Sequence, residues 1–209
     1  MKLYYDELLN PRKACAVARY LDAPVEFVRL DVTTAAHKTP EFLAINPNGQ
    51  LPGLVDGALS LWESNAIMCY LARKAGSDLY PRDDAGQIET MRWLSWDGAH
   101  FSRHGGALYF EFVIKAKFKI GPPDDAVVAE AGAAMRRKGA VLDAHLADRA
   151  FVLGDRLSVA DFALAVSLAY PVATTAPLEG FAHIARWNDR LNALPAWREP
   201  FPPRHSKAA

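Results

Sequence analysis

The residues with the clearest capacity for chemistry lie between Asn46 and Ser64. The sequence reads Asn-Pro-Asn-Gly-Gln-Leu-Pro over 46–52 and Leu-Trp-Glu-Ser over 61–64. Pro52 follows a turn and precedes a short apolar run, which favours a cis Leu51–Pro52 peptide bond. Such a kink would leave the N–H and C=O of Leu51 free to pair with an extended peptide ligand.

The end of this segment carries two groups that suit the charges of such a ligand. Ser64 would stand at the start of the next helix, where unpaired N–H groups and the positive end of the helix dipole attract a carboxylate. Glu63 beside it can hold an ammonium group. The segment therefore predicts a site for a small zwitterionic peptide.

The composition narrows the possible partners. Lys plus Arg and Asp plus Glu number 24 each, so no net field attracts nucleic acid or an anionic membrane. Cys15 and Cys69 lie far apart, which argues against a zinc site and a dithiol motif. The chain starts without a leader-like segment, and no apolar run approaches membrane-spanning length. We expect a soluble, cytoplasmic protein that binds no nucleic acid, no membrane and no metal.

The elements that position the 46–64 segment follow from apolar periodicity. Strand patterns at 3–5 and 25–30 flank a helical pattern over 11–21, which predicts a right-handed parallel unit. A short helix over 40–45, a hairpin, and a helix that ends at Gly76 follow. We therefore predict the order βαβ, α, ββα, with helices packed on a four-stranded mixed sheet.

Strand patterns cease after a polar connection at 77–84. The remaining periodicity is helical and predicts an all-helical bundle, with helices over 85–117, 124–147, 159–170 and 181–194. Ser158 and Asp161 have the spacing of a helix capping box, in which Asp replaces the usual Glu or Gln. We interpret this pair as a folding element.

Taken together, the chain resembles the cytosolic glutathione transferases over nearly its whole length. The resemblance rests on the opening strand and helix and on three motifs, Asn46-Pro47-x-Gly49-x-Leu51-Pro52, Glu63-Ser64-x-Ala66-Ile67 and Gly154-Asp155-x-Leu157-Ser158-x-Ala160-Asp161-Phe162. It implies an α/β plus all-α architecture, with a thioredoxin-like N-terminal domain at 1–76, a linker at 77–84 and an α-helical domain at 85–209. It also implies a homodimer and glutathione as co-substrate.

The resemblance implies a role for each residue of the binding motif. Leu51, held by Pro52, would pair its backbone with the cysteinyl unit of glutathione. Glu63 and Ser64 would hold the γ-glutamyl end. The resemblance also implies that Gln50 binds the glycyl carboxylate and that His37 or Lys38 makes a second contact with it.

An ordinary thiol has a pKa near 8.5, so a glutathione transferase needs a group that lowers this pKa. The sequence offers more than one candidate for that group. Leu9 stands where theta-like enzymes carry serine, and Cys15 lies beyond the position of the beta-like or omega-like cysteine. Asn10 aligns with the asparagine of the Asn-Gly-x-Lys motif in nu-class bacterial enzymes. We expect it to cap the first helix and to direct its amide toward the sulfur. Tyr5, with Tyr4, is the alternative, since mu-like and alpha-like enzymes use a tyrosine there.

The resemblance implies that the second substrate lies between the domains, over the first long helix. Trp93, Trp96, His100, Arg103 and His104 fall close to one stripe of that helix. Aromatic residues at such spacing are more often core than pocket, and we expect His100, Arg103 or His104 to line the pocket or to help bind a partly anionic substrate. The expected reaction is attack of glutathione on a small hydrophobic electrophile, or reduction of a disulfide or peroxide. A non-catalytic binding or regulatory protein with the same fold is the alternative, since fold does not determine function.

Overall fold

The computed structural model describes residues 1–170 and 176–203. The elements of the N-terminal half are, in chain order, β1 (Lys2–Tyr5), α1 (Leu9–Tyr20), β2 (Glu26–Arg29), α2 (Pro40–Leu43), β3 (Gly53–Asp56), β4 (Leu59–Trp62) and α3 (Ser64–Lys74). Two 3₁₀ turns, Val32–Thr34 and Ala36–Lys38, lie between β2 and α2. The predicted order βαβ, α, ββα is confirmed.

The four strands form one mixed sheet in the order β2-β1-β3-β4. β1 runs parallel to β2 and antiparallel to β3, so that Leu3 lies between Phe27 and Leu54. Leu3 and Leu54 are fully buried, and α1 and α3 pack on the sheet and on each other. Because β1 and β3 are neighbours and antiparallel, the chain that leaves β1 toward α1 lies beside the chain that enters β3.

The C-terminal half is helical. Its α-helices are α4 (Asp84–Trp96), α5 (Ser102–Tyr109), α6 (Lys115–Phe118), α7 (Asp125–His145), α8 (Val159–Ala165), α9 (Ala182–Asn192) and α10 (Pro195–Arg198). The first three form one continuous stretch, joined by π-helical segments at Asp97–Phe101 and Phe110–Ile114. α8 continues as a 3₁₀ turn, Val166–Leu168, before the predicted helix end at residue 170. The linker that we propose, 77–84, lies mainly between α3 and α4.

The start of α8 carries the predicted capping box, which is confirmed. Asp161 is fully buried, and its Oδ2 accepts hydrogen bonds from the backbone N–H and the hydroxyl of Ser158, both at 2.8 Å. Its Oδ1 accepts from the N–H of Val152 and the indole N–H of Trp187, also at 2.8 Å. One carboxylate thereby ties the start of α8 to the preceding loop and to α9.

None of the helices within 1–170 and 176–203 combines the length and apolarity that a crossing of the bilayer requires.

Candidate functional site

A cleft of about 760 Å³ lies between the sheet half and the helical half. Its first wall comes from the start of α1, the 3₁₀ turn at Ala36–Lys38 and the segment before β3, and it carries most of the polar groups. Its second wall comes from α5 and the helical segments that follow it, and it is mainly apolar. The cleft is therefore polar on one side and apolar on the other.

The segment before β3 presents an unpaired backbone to the first wall. The Leu51–Pro52 bond is cis, as the sequence predicts. The Asn46 side chain holds the turn, since it donates to the C=O of Gln50 at 2.6 Å and accepts from the N–H of Asn48 at 3.1 Å. Within the described residues, neither the N–H nor the C=O of Leu51 has a hydrogen-bond partner. Both remain available to an extended ligand.

Glu63 and Ser64 lie next to this segment. Gly53 and Trp62 form the last pair of the β3–β4 ladder, so Pro52 and Glu63 are the next residues at the same end of this hairpin. Glu63 has a φ of 69°, a left-handed conformation that costs about 1–3 kcal/mol for a residue other than glycine. It is the N-cap of α3 without a side-chain cap, and Ser64 is buried at the first helical position. The start of α3 is thus open to an anion.

The start of α1 corrects the predicted role of Asn10 as N-cap. The helix begins at Leu9, and its N-cap is Leu8, whose apolar side chain accepts no hydrogen bond. The reason is tertiary, because Leu9 is buried in the core and the C=O of Leu8 accepts the N–H of Arg12 at 3.1 Å. Pro11 still lies in the first turn, where its missing N–H has no intrahelical partner to lose.

Asn10 itself is exposed and lines the cleft. Its side chain makes no hydrogen bond to any other described residue, so its amide NH₂ is available as a donor. The capping prediction is wrong, yet the amide lies at the expected end of α1. An anion in the cleft would meet this amide and the positive end of the helix dipole together.

Neither Tyr5 nor Tyr4 lines the cleft. The Tyr5 ring stacks on Phe201 at a centroid distance of 5.7 Å and meets Phe27 edge-on at 6.0 Å. Burial raises the pKa of Tyr5, and its side chain is not among those that line the cleft. Tyr4 packs against Phe42. The structure therefore does not bring either tyrosine together with Asn10.

His37, Lys38 and Gln50 form the other end of the polar wall. The Nδ1 atom of His37 is buried and has no partner within the described part of the chain. Partial burial and the neighbouring Lys38 charge lower the pKa of His37. Lys38 Nζ lies 3.5 Å from the C=O of Asn48. These groups offer donors and one fixed positive charge to a carboxylate.

The second wall corrects the predicted position of the electrophile pocket. None of Trp93, Trp96, His100, Arg103 and His104 lines the cleft. The wall is instead formed by Gly106, Tyr109, Phe110, Ile114 and Phe118. Trp93 and Trp96 precede both π-helical segments and pack edge-on against each other at a centroid distance of 5.3 Å. The first segment adds a residue to the turn before Arg103 and His104 and rotates these side chains relative to a 3.6-residue period. The consecutive aromatic residues Tyr109 and Phe110 were the available signal, but their orientation depends on those turns.

A buried ion pair supports the polar wall from below. Lys13 Nζ lies 3.8 Å from Asp97 Oδ2 and donates to Asn65 Oδ1 at 3.3 Å. The Ser102 hydroxyl donates to the other Asp97 oxygen at 2.5 Å. Burial lowers the pKa of Lys13 and raises the pKa of Asp97, while the opposite charge counteracts both effects. The pair fixes α1 and α3 relative to the first π-helical turn, and the sequence patterns did not indicate it.

A second buried carboxylate holds the apolar wall in place. Asp6 is fully buried and forms an ion pair with Arg29 at 2.9 Å. It also accepts the N–H of Val32 at 3.2 Å and lies 3.6 Å from Lys117 Nζ. Since Lys117 belongs to α6, this contact joins the sheet to the helical segment that carries Phe118.

The amino-acid sequence is similar to that of known glutathione S-transferases over both halves of the chain. The family model described as glutathione S-transferase, N-terminal domain, matches residues 3–73, and the model for the C-terminal domain matches residues 107–195. Glutathione S-transferase 3 of Zea mays is 36% identical over 199 residues, which cover 88% of this chain and 87% of the relative.

Solved structures show the same fold. Glutathione transferase F2 from Populus trichocarpa has a TM-score of 0.88 at 22% identity, with 95% of this chain and 96% of that chain covered. A glutathione transferase from Burkholderia graminis, described with two glutathione molecules bound per subunit, has a TM-score of 0.84 at 27% identity, with 95% and 86% covered.

Proposed function

This chain belongs to the glutathione S-transferase family and is a glutathione transferase, and we propose that its cleft binds glutathione along the polar wall and lowers the pKa of the bound thiol at the start of α1. One observation carries the proposal. The same cleft is lined by the unpaired backbone of Leu51, by the free amide of Asn10 and by the polar side chains of His37, Lys38 and Gln50.

The proposed binding mode matches each end of the peptide to an opposite charge. The cysteinyl unit pairs with the backbone of Leu51, as a strand would. The γ-glutamyl carboxylate meets the open start of α3 at Ser64, and its ammonium group meets Glu63. The glycyl carboxylate lies against His37 and Gln50. The last pair of the β3–β4 ladder, Gly53 with Trp62, supports this order because the segments with Leu51 and Ser64 leave the ladder at the same end.

Thiol activation then depends on Asn10. A decrease of two units in the thiol pKa requires about 2.7 kcal/mol of preference for the thiolate. A hydrogen bond to a charged group contributes about 1.5–3 kcal/mol, and a helix N-terminus adds about 0.3–1 kcal/mol. The amide and the start of α1 together meet the requirement. The position of Tyr5 in the core favours Asn10 over the tyrosine alternative.

The apolar wall favours a small hydrophobic electrophile as the second substrate. Phe110, Ile114 and Phe118 offer apolar surface opposite the thiolate. The sulfur lone pair would form an S–C bond as the leaving group departs with its electron pair. Detoxification of such electrophiles is the role that we propose.

Disulfide reduction is the second candidate function. The Burkholderia graminis protein is described with two glutathione molecules per subunit. This description supports the proposal that a cleft of this fold can hold two thiol peptides at once. In that reaction the thiolate would attack one sulfur of a disulfide, so that a new S–S bond forms and the other sulfur leaves as a thiolate.

Calorimetry and two assays test these proposals. We expect glutathione to bind, and we expect a chlorodinitrobenzene to be conjugated faster than a small symmetrical disulfide is reduced. The reverse order of rates would favour the reductive function. No binding at millimolar glutathione would contradict both.

We also propose that the protein is a cytoplasmic homodimer. Glutathione is abundant in the reducing cytosol, where its thiol stays available. Apolar side chains on β4 and α4 are exposed, including Trp62 at 40%, Ile88 at 61% and Met91 at 55%, and such surface is typical of protein contacts. Sedimentation analysis should give twice the chain mass at micromolar concentration, and a monomer would contradict the proposal.

A further inference from the structure

The apolar wall contains one hydroxyl, that of Tyr109. Tyr109 is the last residue of α5 and is followed at once by the π-helical turn Phe110–Ile114. It is only 6% exposed, and it lines the cleft together with Leu9 and Asn10. π-Helical turns occur frequently at functional sites, because they reorient side chains within a helix. Here the consecutive residues Tyr109 and Phe110, at the start of this turn, both line the cleft.

The Tyr109 hydroxyl lies at the start of α1. Burial raises the pKa of Tyr109, and the Asp6 carboxylate raises it further. Contacts with the Tyr170 hydroxyl and with the backbone N–H of Leu9, the first residue of that helix, act in the opposite direction. The hydroxyl is therefore protonated at neutral pH, so it has a hydrogen to donate.

A partly buried cation, Arg12, lies behind this tyrosine. The Tyr170 ring meets the Tyr109 ring edge-on at a centroid distance of 4.5 Å. Arg12 lies 5.9 Å from the Tyr170 ring and 4.9 Å from the Trp197 ring, and burial lowers its pKa. Its guanidinium donates to the C=O of Trp197 and makes no carboxylate contact within the described residues.

The order Arg12, Tyr170, Tyr109 and cleft places a positive charge, which has no carboxylate partner among residues 1–170 and 176–203, behind a hydrogen-bond donor. The Tyr170 hydroxyl is buried, without a well-formed hydrogen bond in the described part of the chain, and the two polar side chains that act on it are Tyr109 and Arg12. Such an arrangement favours negative charge in front of Tyr109.

We propose that Tyr109 is a second thiolate-binding residue, whose hydroxyl donates a hydrogen bond to the sulfur of bound glutathione. This inference rests on the proposed function, because it requires the thiolate to lie at the start of α1. The helical domain thereby supplies the hydroxyl that Leu9 cannot supply. Tyr109 remains protonated throughout, and the proton of the thiol leaves to solvent.

The test is the ultraviolet thiolate absorbance of bound glutathione, titrated with pH. Tyr109→Phe removes only the oxygen and keeps the ring contact with Tyr170. We expect it to raise the bound thiol pKa by about one to two units, the effect of one charge-assisted hydrogen bond. Tyr80→Phe is the matched control, since the Tyr80 ring lies against Arg73 and does not line the cleft.

A fluorinated tyrosine at position 109 provides a second measurement that does not depend on the stability of the phenylalanine variant. Fluorine acidifies the hydroxyl and strengthens its hydrogen bond, so the bound thiol pKa should decrease below the wild-type value. Affinity for S-methylglutathione, which has no thiol, should stay within about twofold in all variants.

The outcomes separate this inference from the proposed function. A wild-type bound thiol pKa equal to that of free glutathione would overturn both. A lowered wild-type pKa that neither Tyr109 replacement changes would overturn the role of Tyr109 alone, and the role of Asn10 would stand.

Discussion

The starts of α1 and α8 leave the same groups unpaired and satisfy them differently. The first N–H groups of any α-helix have no acceptor within the helix. In α8, the Asp161 carboxylate and Ser158 form a capping box, and the carboxylate accepts four hydrogen bonds. In α1, the N-cap is Leu8, and Asn10 in the first turn faces the cleft.

This difference distinguishes a helix start that stabilises the fold from one that is available to a ligand. Asp161 is fully buried, and its carboxyl oxygens supply the hydrogen-bond acceptors from within the protein. The start of α1 lacks such an acceptor and opens toward the cleft. A glutathione thiolate would therefore do at α1 what a protein carboxylate does at α8.

The largest effect is expected at α8. Asp161→Ala leaves buried donors on Val152, Ser158 and Trp187 without an acceptor. Each orphaned donor costs about 1–3 kcal/mol, so we expect a loss of about 3–5 kcal/mol in the free energy of unfolding, measured with urea. The thiol pKa of glutathione bound to the folded fraction should not change. A loss below about 1 kcal/mol would mean that this capping box contributes no more than an exposed one.

At α1 we expect little change in stability and a large change in the pKa of the bound thiol. Asn10→Asp places a carboxylate at a helix start, which should leave stability unchanged or improve it by about 0.3–1 kcal/mol. The same charge repels a thiolate, so the bound thiol pKa should increase by about one unit or more and kcat/KM should decrease about tenfold at pH 7.

Asn192→Asp makes the same charge change at the exposed end of α9 and serves as the control for Asn10→Asp. It should leave the bound thiol pKa unchanged. Equal kinetics in the two variants would show that the thiolate does not lie near the start of α1.

A smaller effect is expected at the start of α3. Ser64→Ala removes a hydroxyl beside the proposed γ-glutamyl carboxylate, and a hydrogen bond to a charged group contributes about 1.5–3 kcal/mol. Calorimetry should show affinity for glutathione reduced about tenfold or more, with the bound thiol pKa unchanged. Ser60→Ala, on the exposed face of β4, is the matched control. Unaltered affinity in Ser64→Ala would place the carboxylate elsewhere.

The smallest effect concerns protonation of His37. Its pKa lies below the usual value near 6.5 in the free protein, and a bound carboxylate would raise it. Binding should then take up a proton when the pH lies between the two values, and affinity should decrease about two- to threefold as the pH rises through that window.

S-methylglutathione isolates the His37 effect from ionisation of the thiol. Calorimetry in two buffers with different ionisation enthalpies measures the proton uptake directly. His37→Gln should abolish it, and uptake that persists in this variant would exclude His37 as the source.

Local patterns predicted the features that depend on neighbouring residues. The cis bond before Pro52 follows from one proline in its turn, and the capping box at Ser158 and Asp161 follows from a three-residue spacing. The order of helices and strands along the N-terminal half followed from apolar periodicity and short turns. Each of these features is determined by residues that lie close together in the sequence.

Features that depend on tertiary packing were not predictable in this way. Burial of Leu9 moves the start of α1 ahead of Asn10. The π-helical turn Asp97–Phe101 changes the orientation of later side chains, including His104 and Tyr109, because helical periodicity alone assumes a constant turn. Lys13 and Asp97 meet only once both halves have folded, so their sequence separation conceals the pair.

The central claim is that the open start of α1 stabilises a glutathione thiolate. The most direct measurement is the ultraviolet thiolate absorbance of glutathione bound to the wild-type protein, titrated with pH beside free glutathione in the same buffer. The account predicts a bound thiol pKa about one to two units below the free value, with most of that difference lost in Asn10→Ala. A bound thiol pKa equal to the free value would contradict it.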